Sequence, residues 1–210
     1  MLRRAGMAIN GTLCESERTF EEVFVANFTV LVTVLSMVLG LSITRILLGL
    51  ITVFRIRRTA RPDWVALAWA FTLFLFQLQF WWALNDLSTI KKEFSFGEFL
   101  LLVSLTLALF TAAALILPSR SEDELDGLQV YFEQDGRYAL LAICTYLGLG
   151  SVINIVFFHA SPFQLWAVLD LVMITLSSAA FFAPSRRLYA SLTLAYLPLS
   201  VFDTAVSLNS

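Results

Sequence analysis

Residues 64–85, WVALAWAFTLFLFQLQFWWALN, decide what kind of protein this is, because the run contains no Asp, Glu, Lys or Arg. A helix needs ~20 apolar residues to cross ~30 Å of hydrocarbon, and this stretch is long enough. In lipid the run must satisfy its own backbone N–H and C=O groups, so its many Phe residues do not argue for a strand. The same lack of charge recurs from Phe99 to Ser119, from Tyr138 to Gln164 (His159 counted as neutral) and from Leu188 to Phe202.

The composition of the 210 residues agrees. Apolar residues make up 59% and charged residues 14%, against roughly 45–50% and 25% in soluble domains. Mean hydropathy is +0.80. A water-soluble globule would need more charge to build its polar shell. With 14 Lys+Arg against 16 Asp+Glu, a basic nucleic-acid binder is excluded, and so is a disordered chain. Two Cys and one His give neither a disulfide framework nor a zinc cluster.

The reading is therefore an all-α, polytopic transmembrane helical bundle. Six spans are expected at 24–54, 64–86, 99–117, 138–158, 164–183 and 187–208, after an extracytoplasmic tail at 1–23. The first span is long and is expected to tilt or project. The last two form a hairpin around Ala183-Pro184-Ser185-Arg186-Arg187. Ala5 to Glu22 holds no apolar stretch of signal-peptide length, so no cleavable signal is read there. Cys14 sits in a poor lipidation context, and Asn10-Gly11-Thr12 is a sequon too loose to use. Two short echoes, Leu39-Gly40-Leu41 with Leu147-Gly148-Leu149 and Trp82-Ala83-Leu84-Asn85-Asp86 with Trp166-Ala167-Val168-Leu169-Asp170, fall at different offsets, so no internal duplication is read.

Orientation follows from Lys and Arg near the helix ends. The first connection carries Arg55, Arg57, Arg58 and Arg61; alternation puts Arg120, Arg137, Arg186 and Arg187 on the same side. That side is expected to be cytoplasmic, with both termini outside a plasma-membrane protein. The segment 119–137 shares that side but is acidic. Its Ser121-Glu122-Asp123-Glu124 reads as a capping box opening a short helix, with Leu125, Leu128 and Phe132 on one face. Opposite charge then suggests that Arg55, Arg57, Arg58 and Arg61 meet Glu124 and Asp126 as a cytoplasmic contact surface. Anionic lipid is the other expected partner of the basic loop.

Within the spans the candidate polar site is Arg45, Asp170, Asp203, Asn154, Asn85 and Asp86. Arg45 lies about 15 Å above Arg55 by the helical rise. An intramembrane guanidinium calls for a partner, for which Asp170 is the best candidate by depth, or it snorkels to the interface. Asp86, Asp170 and Asp203 could bind a cation or proton, or could simply cap helix ends and face water. His159 adjoins them. Pro198 removes a backbone donor from the last span. Thr29, Thr33, Ser36, Gly40 and Thr44 form one small-residue stripe of the first span, and Ser42, Arg45, Gly49 and Thr52 form another; such stripes admit close neighbours or a second copy. Gln77 and Gln79 are expected to bond between helices.

No catalytic constellation, metal-ligand set, phosphate loop or cofactor motif is visible, so catalysis, metal and cofactor are read as none. The expected function is a non-enzymatic structural or sensory membrane module. Its partners are the lipid bilayer and either a second copy or a cytoplasmic protein, and no nucleic acid is expected. The alternative is a small cation- or proton-coupled carrier or channel using Asp170, Asp203 and Arg45.

Overall fold

The computed structural model describes residues 29–55, 57, 62–90, 94–118, 128–158 and 164–207. They form α1 (Thr29–Arg55), α2 (Trp64–Ile90), α3 (Phe96–Ile116), the short α4 (Leu128–Gln134), α5 (Ala139–Phe158), α6 (Leu165–Phe181) and α7 (Arg186–Ser207), with a 3₁₀ turn at Gly136–Tyr138. No strand occurs among the described residues. Among the described residues five helices are long and apolar enough to cross a membrane, and α6 is a shorter apolar one. The chain is a multi-pass helical membrane bundle.

The helix ends show where charge silence misleads. α3 begins before Phe99 because Ser95 and Glu98 close a reciprocal capping box. The Ser95 N–H donates to Glu98 Oε2 at 2.8 Å, and the Glu98 N–H donates to Ser95 Oγ at 3.3 Å. The charge thus belongs to the first turn, where it complements the helix dipole. α2 likewise runs through Asn85 and Asp86 to Ile90. α6 ends at Phe181, just before Pro184, and has 17 residues, near the lower limit of about 17–25 for a span. Residues 24–28 of the first expected span and the capping box at 121–124 lie outside the described residues.

α2 and α3 form an antiparallel hairpin; α3 packs along α5, α5 along α6, α6 along α7, and α7 along α2. The shared core includes Leu35, Leu39 and Ile46 of α1, Trp69, Leu73 and Phe76 of α2, Leu109 and Ile116 of α3, and Met173 of α6. The opposite faces expose Met37, Leu41, Phe71, Leu107 and Val168. Apolar side chains on the outside are what a lipid solvent requires of a bundle that satisfies its backbone internally.

α4 tucks under the C-terminal end of α3. Leu128 and Phe132 are buried, as the sequence pattern expects, and the Tyr131 hydroxyl donates to the Leu115 carbonyl at 3.1 Å. Asp63 before α2, Glu133 in α4 and Arg186 at the start of α7 meet in one cluster. The first, third and fifth connections therefore share one end of the bundle, called here the basic end.

Candidate functional site

The most continuous polar feature is a seam between α2 and α7, which run in parallel. Starting at the basic end, Arg186 forms a hydrogen-bonded ion pair with Asp63 Oδ1. The Trp69 indole N–H then donates to Thr193 Oγ1 at 3.0 Å, and Trp69 stacks on Tyr196 with ring centroids 4.5 Å apart. The hydroxyls of Thr72 and Ser200 lie 3.4 Å apart. Farther along, Gln79 Nε2 donates to Asp203 Oδ2 at 3.2 Å and to Ser207 Oγ at 2.6 Å. Each rung joins residues 123 to 128 positions apart. A nearly constant offset is what two parallel helices in fixed register produce.

Asp203 is 7% exposed and Asp63 is 5% exposed. Both spend a carboxylate oxygen on the neighbouring helix, which is how polar groups persist in a low-dielectric interior. Asp63 Oδ1 also accepts the Val65 N–H at 3.3 Å, so the same group caps α2.

Arg45 solves its burial differently. One guanidinium nitrogen donates to the carbonyls of Ala114 and Leu117 at 3.1 and 3.0 Å. These carbonyls belong to the last turn of α3, where the helix offers them no partner and its dipole is negative. The sequence expectation of an Arg45–Asp170 pair is therefore corrected. Asp170 instead accepts from Ser151 Oγ on α5 at 2.8 Å. Ser151 stands about 18 Å along α5 from its start at the basic end, at ~1.5 Å per residue, whereas Arg45 is engaged at the level of the α3 terminus. Snorkelling toward the basic end is the better description, with helix-end carbonyls as its target.

Close packing allows this reach. A Cβ on Gly49 would fall 2.6 Å from Leu117 Cβ, so only glycine lets α1 lie against the end of α3 there. Residues 50–55 then carry α1 about 9 Å beyond Gly49, with Val53 still buried in the core.

The remaining candidates separate. Ser42 accepts from Gln77 Nε2 at 2.5 Å, joining α1 to α2; with the Gln79 bonds, both glutamines link helices as expected. Asn154 is half-buried on α5, and Asn85 is exposed on α2. Asp86 falls within α2, but its side chain and the whole of His159 lie outside the described residues. Asp170 of α6 and Asp203 of α7 both lie within electrostatic reach of Tyr146 on α5, so the two carboxylates occupy one neighbourhood. Among the described residues no group of three His, Cys, Asp or Glu could hold a metal ion.

At the basic end, Arg55 is exposed and the Arg57 guanidinium stacks 3.6 Å over the Phe54 ring. Arg58, Arg61, Glu124 and Asp126 lie outside the described residues. The described joint uses different residues: Arg186 bonds Asp63 and approaches Glu133 Oε1 at 3.7 Å. Sequence reasoning used Arg186 only as a topology marker and passed over Asp63, although Pro62-Asp63 before an apolar run is a helix-start signal. Ser151 carried no signal at all, since a lone hydroxyl in an apolar run is common.

Beside this joint lies a cavity of about 230 Å³ lined by Phe132, Glu133, Arg137, Phe181, Arg186 and Tyr189, among others. No protein-family model, curated protein or solved structure matches the chain.

Proposed function

We propose that the chain is a non-enzymatic membrane module, structural or sensory, whose intramembrane polar groups fix the register of its helices and whose basic end meets a partner. The basic end faces the cytoplasm of a plasma membrane, and both termini lie outside, as the positive-inside rule favours. A second copy of the chain or a cytoplasmic protein is the expected partner, besides the bilayer.

One observation carries this reading: the strongest intramembrane polar groups are spent on neighbouring helices. Asp203 is bonded to Gln79, Asp170 to Ser151, and Arg45 to the end of α3. Groups committed in this way position helices.

A carrier remains the second reading because Asp170 and Asp203 share a neighbourhood with Tyr146, and paired intramembrane carboxylates are a common proton or cation route. Reconstitution into liposomes under a pH or cation gradient separates the two. The module reading expects flux no greater than in protein-free liposomes. Flux that Asp170→Asn abolishes while the helical circular-dichroism spectrum survives would establish the carrier instead.

A further inference from the structure

At Asp170 the hydrogen count between α5 and α6 does not close. Ser151 Oγ stands 2.8 Å from Asp170 Oδ2 and 3.0 Å from the Leu147 carbonyl, yet a hydroxyl has one hydrogen to give. Elsewhere in these helices that hydrogen goes to the carbonyl one turn back. Thr145 of α5 does so at 2.9 Å, and Ser177 of α6 and Thr204 of α7 do so at 2.8 Å. With Ser151 bonded in the same way, its oxygen and Asp170 Oδ2 face each other at 2.8 Å with no hydrogen between them. A contact that short between two oxygens is a hydrogen bond and needs one. The hydrogen then sits on the carboxyl, with Asp170 donating and Ser151 Oγ accepting.

The charge around Asp170 points the same way. Among the described residues no cation meets Asp170 or Asp203. Arg45 bonds the end of α3, and Arg186 pairs with Asp63 at the basic end, where Arg55, Arg57, Arg137 and Arg187 also lie. α2 offers Asp203 the neutral amide of Gln79. α5 brings Tyr146, 9% exposed, within electrostatic reach of both carboxylates, and its hydroxyl has no hydrogen-bond partner among the described residues. Tyr196 of α7 lies within the same reach but is turned to Ser177, and Cys144 of α5 contacts Ser178. None of these groups supplies a positive charge. Two ionised carboxylates in one low-dielectric neighbourhood without a counter-charge are costly, and one added proton relieves them.

The site is reached from the end opposite the basic end. Asp170 is half-exposed and lies five residues into α6, about 8 Å from its start at Leu165. Half-buried Asn154 stands nearly one turn nearer that end on α5.

We infer that Asp170 takes up a proton from water at that end and holds it between its Oδ2 and Ser151 Oγ, where α6 meets α5. This deepens the sensory form of the proposed module, on which it rests for its role, by naming the signal as protons outside the cell. Loss of the proton leaves two negative groups facing Tyr146 and takes the hydrogen out of the Ser151 contact, so α6 loosens against α5.

The test is infrared difference spectroscopy of the full chain in nanodiscs, titrated with pH, together with hydrogen exchange at 147–154 and 165–173. Wild type should show the C=O stretch of a protonated carboxyl at neutral pH. The band should vanish on alkalinisation while exchange in both segments rises over the same range. Asp170→Asn, a neutral isostere, should lose both the band and the pH dependence of exchange. Ser151→Ala should keep the band and shift its frequency, which a proton held elsewhere would not do. A neutral-pH spectrum without the band, a band that survives Asp170→Asn, or one lost only in Asp203→Asn would overturn the site. Proton flux into liposomes with the band intact would support the site and overturn the module reading, so the two fail separately.

Discussion

At the scale of single residues, two glycines of α1 that look alike in sequence do different work. A Cβ on Gly40 would meet nothing within 4 Å, while one on Gly49 would meet the Leu117 side chain at 2.6 Å. Gly49→Ala should therefore destabilise the bundle by about 1–3 kcal/mol, the usual cost of overpacking, and Gly40→Ala should be neutral. Thermal melting in detergent compares them directly. Arg45 and Asp170 offer a second contrast, because each has its own partner. A double-mutant cycle with Arg45→Leu and Asp170→Asn should give a coupling energy within about 0.5 kcal/mol of zero, as for independent sites. A coupling of several kcal/mol would restore the direct pair. Depth arithmetic on the sequence could place Arg45 inside the membrane, but it could not see that the end of α3 would present two carbonyls to it. Backbone acceptors leave no mark in an amino-acid sequence.

Between elements, the α2–α7 seam makes the sharpest claim. Asp203 is buried and Gln79 half-buried, so Gln79→Leu strands the carboxylate, while Asp203→Leu leaves the amide only its Ser207 partner. Each single change should lower stability, and the double change should recover about 0.5–1.5 kcal/mol of coupling, the range measured for interhelical bonds in lipid. Additive losses in a melting experiment would show that the rung contributes nothing. The helices themselves were legible because uncharged runs of spanning length have few alternatives in lipid. Their ends were less so: Glu98 and Asp86 looked like boundaries, yet both lie within helices. A charge marks the edge of a hydrophobic run, whereas a helix ends where its caps are satisfied. Which helices pair was not legible either, since α2 and α7 are far apart in sequence and their joining groups, Thr72, Gln79, Thr193 and Ser200, are ordinary polar residues until set side by side.

For the whole molecule, the arrangement of charge says how the chain is threaded. Asp63, Glu133 and Arg186 come from three separate connections and meet at one end, and the described part of the first basic connection, Arg55 and Arg57, follows α1 at that end. The sequence anticipated this alternation through its arginines, while the contact it expected of the first loop with Glu124 and Asp126 falls outside the described residues. Polar groups in the interior tie helices together, and the Asp63–Arg186–Glu133 cluster ties three connections at the basic end. Both statements depend on the bundle crossing a bilayer with that end on a single side. Single cysteines placed at Arg57, Gln129, Arg187, Phe96 and Gln164 in a Cys14→Ser, Cys144→Ala background, probed in sealed cells with a membrane-impermeant maleimide, test this directly. The account predicts that positions 57, 129 and 187 react as one group, protected from outside the cell and labelled after permeabilisation, while 96 and 164 react from outside. Labelling of any one of the first three from the side that labels 96 and 164 would contradict it.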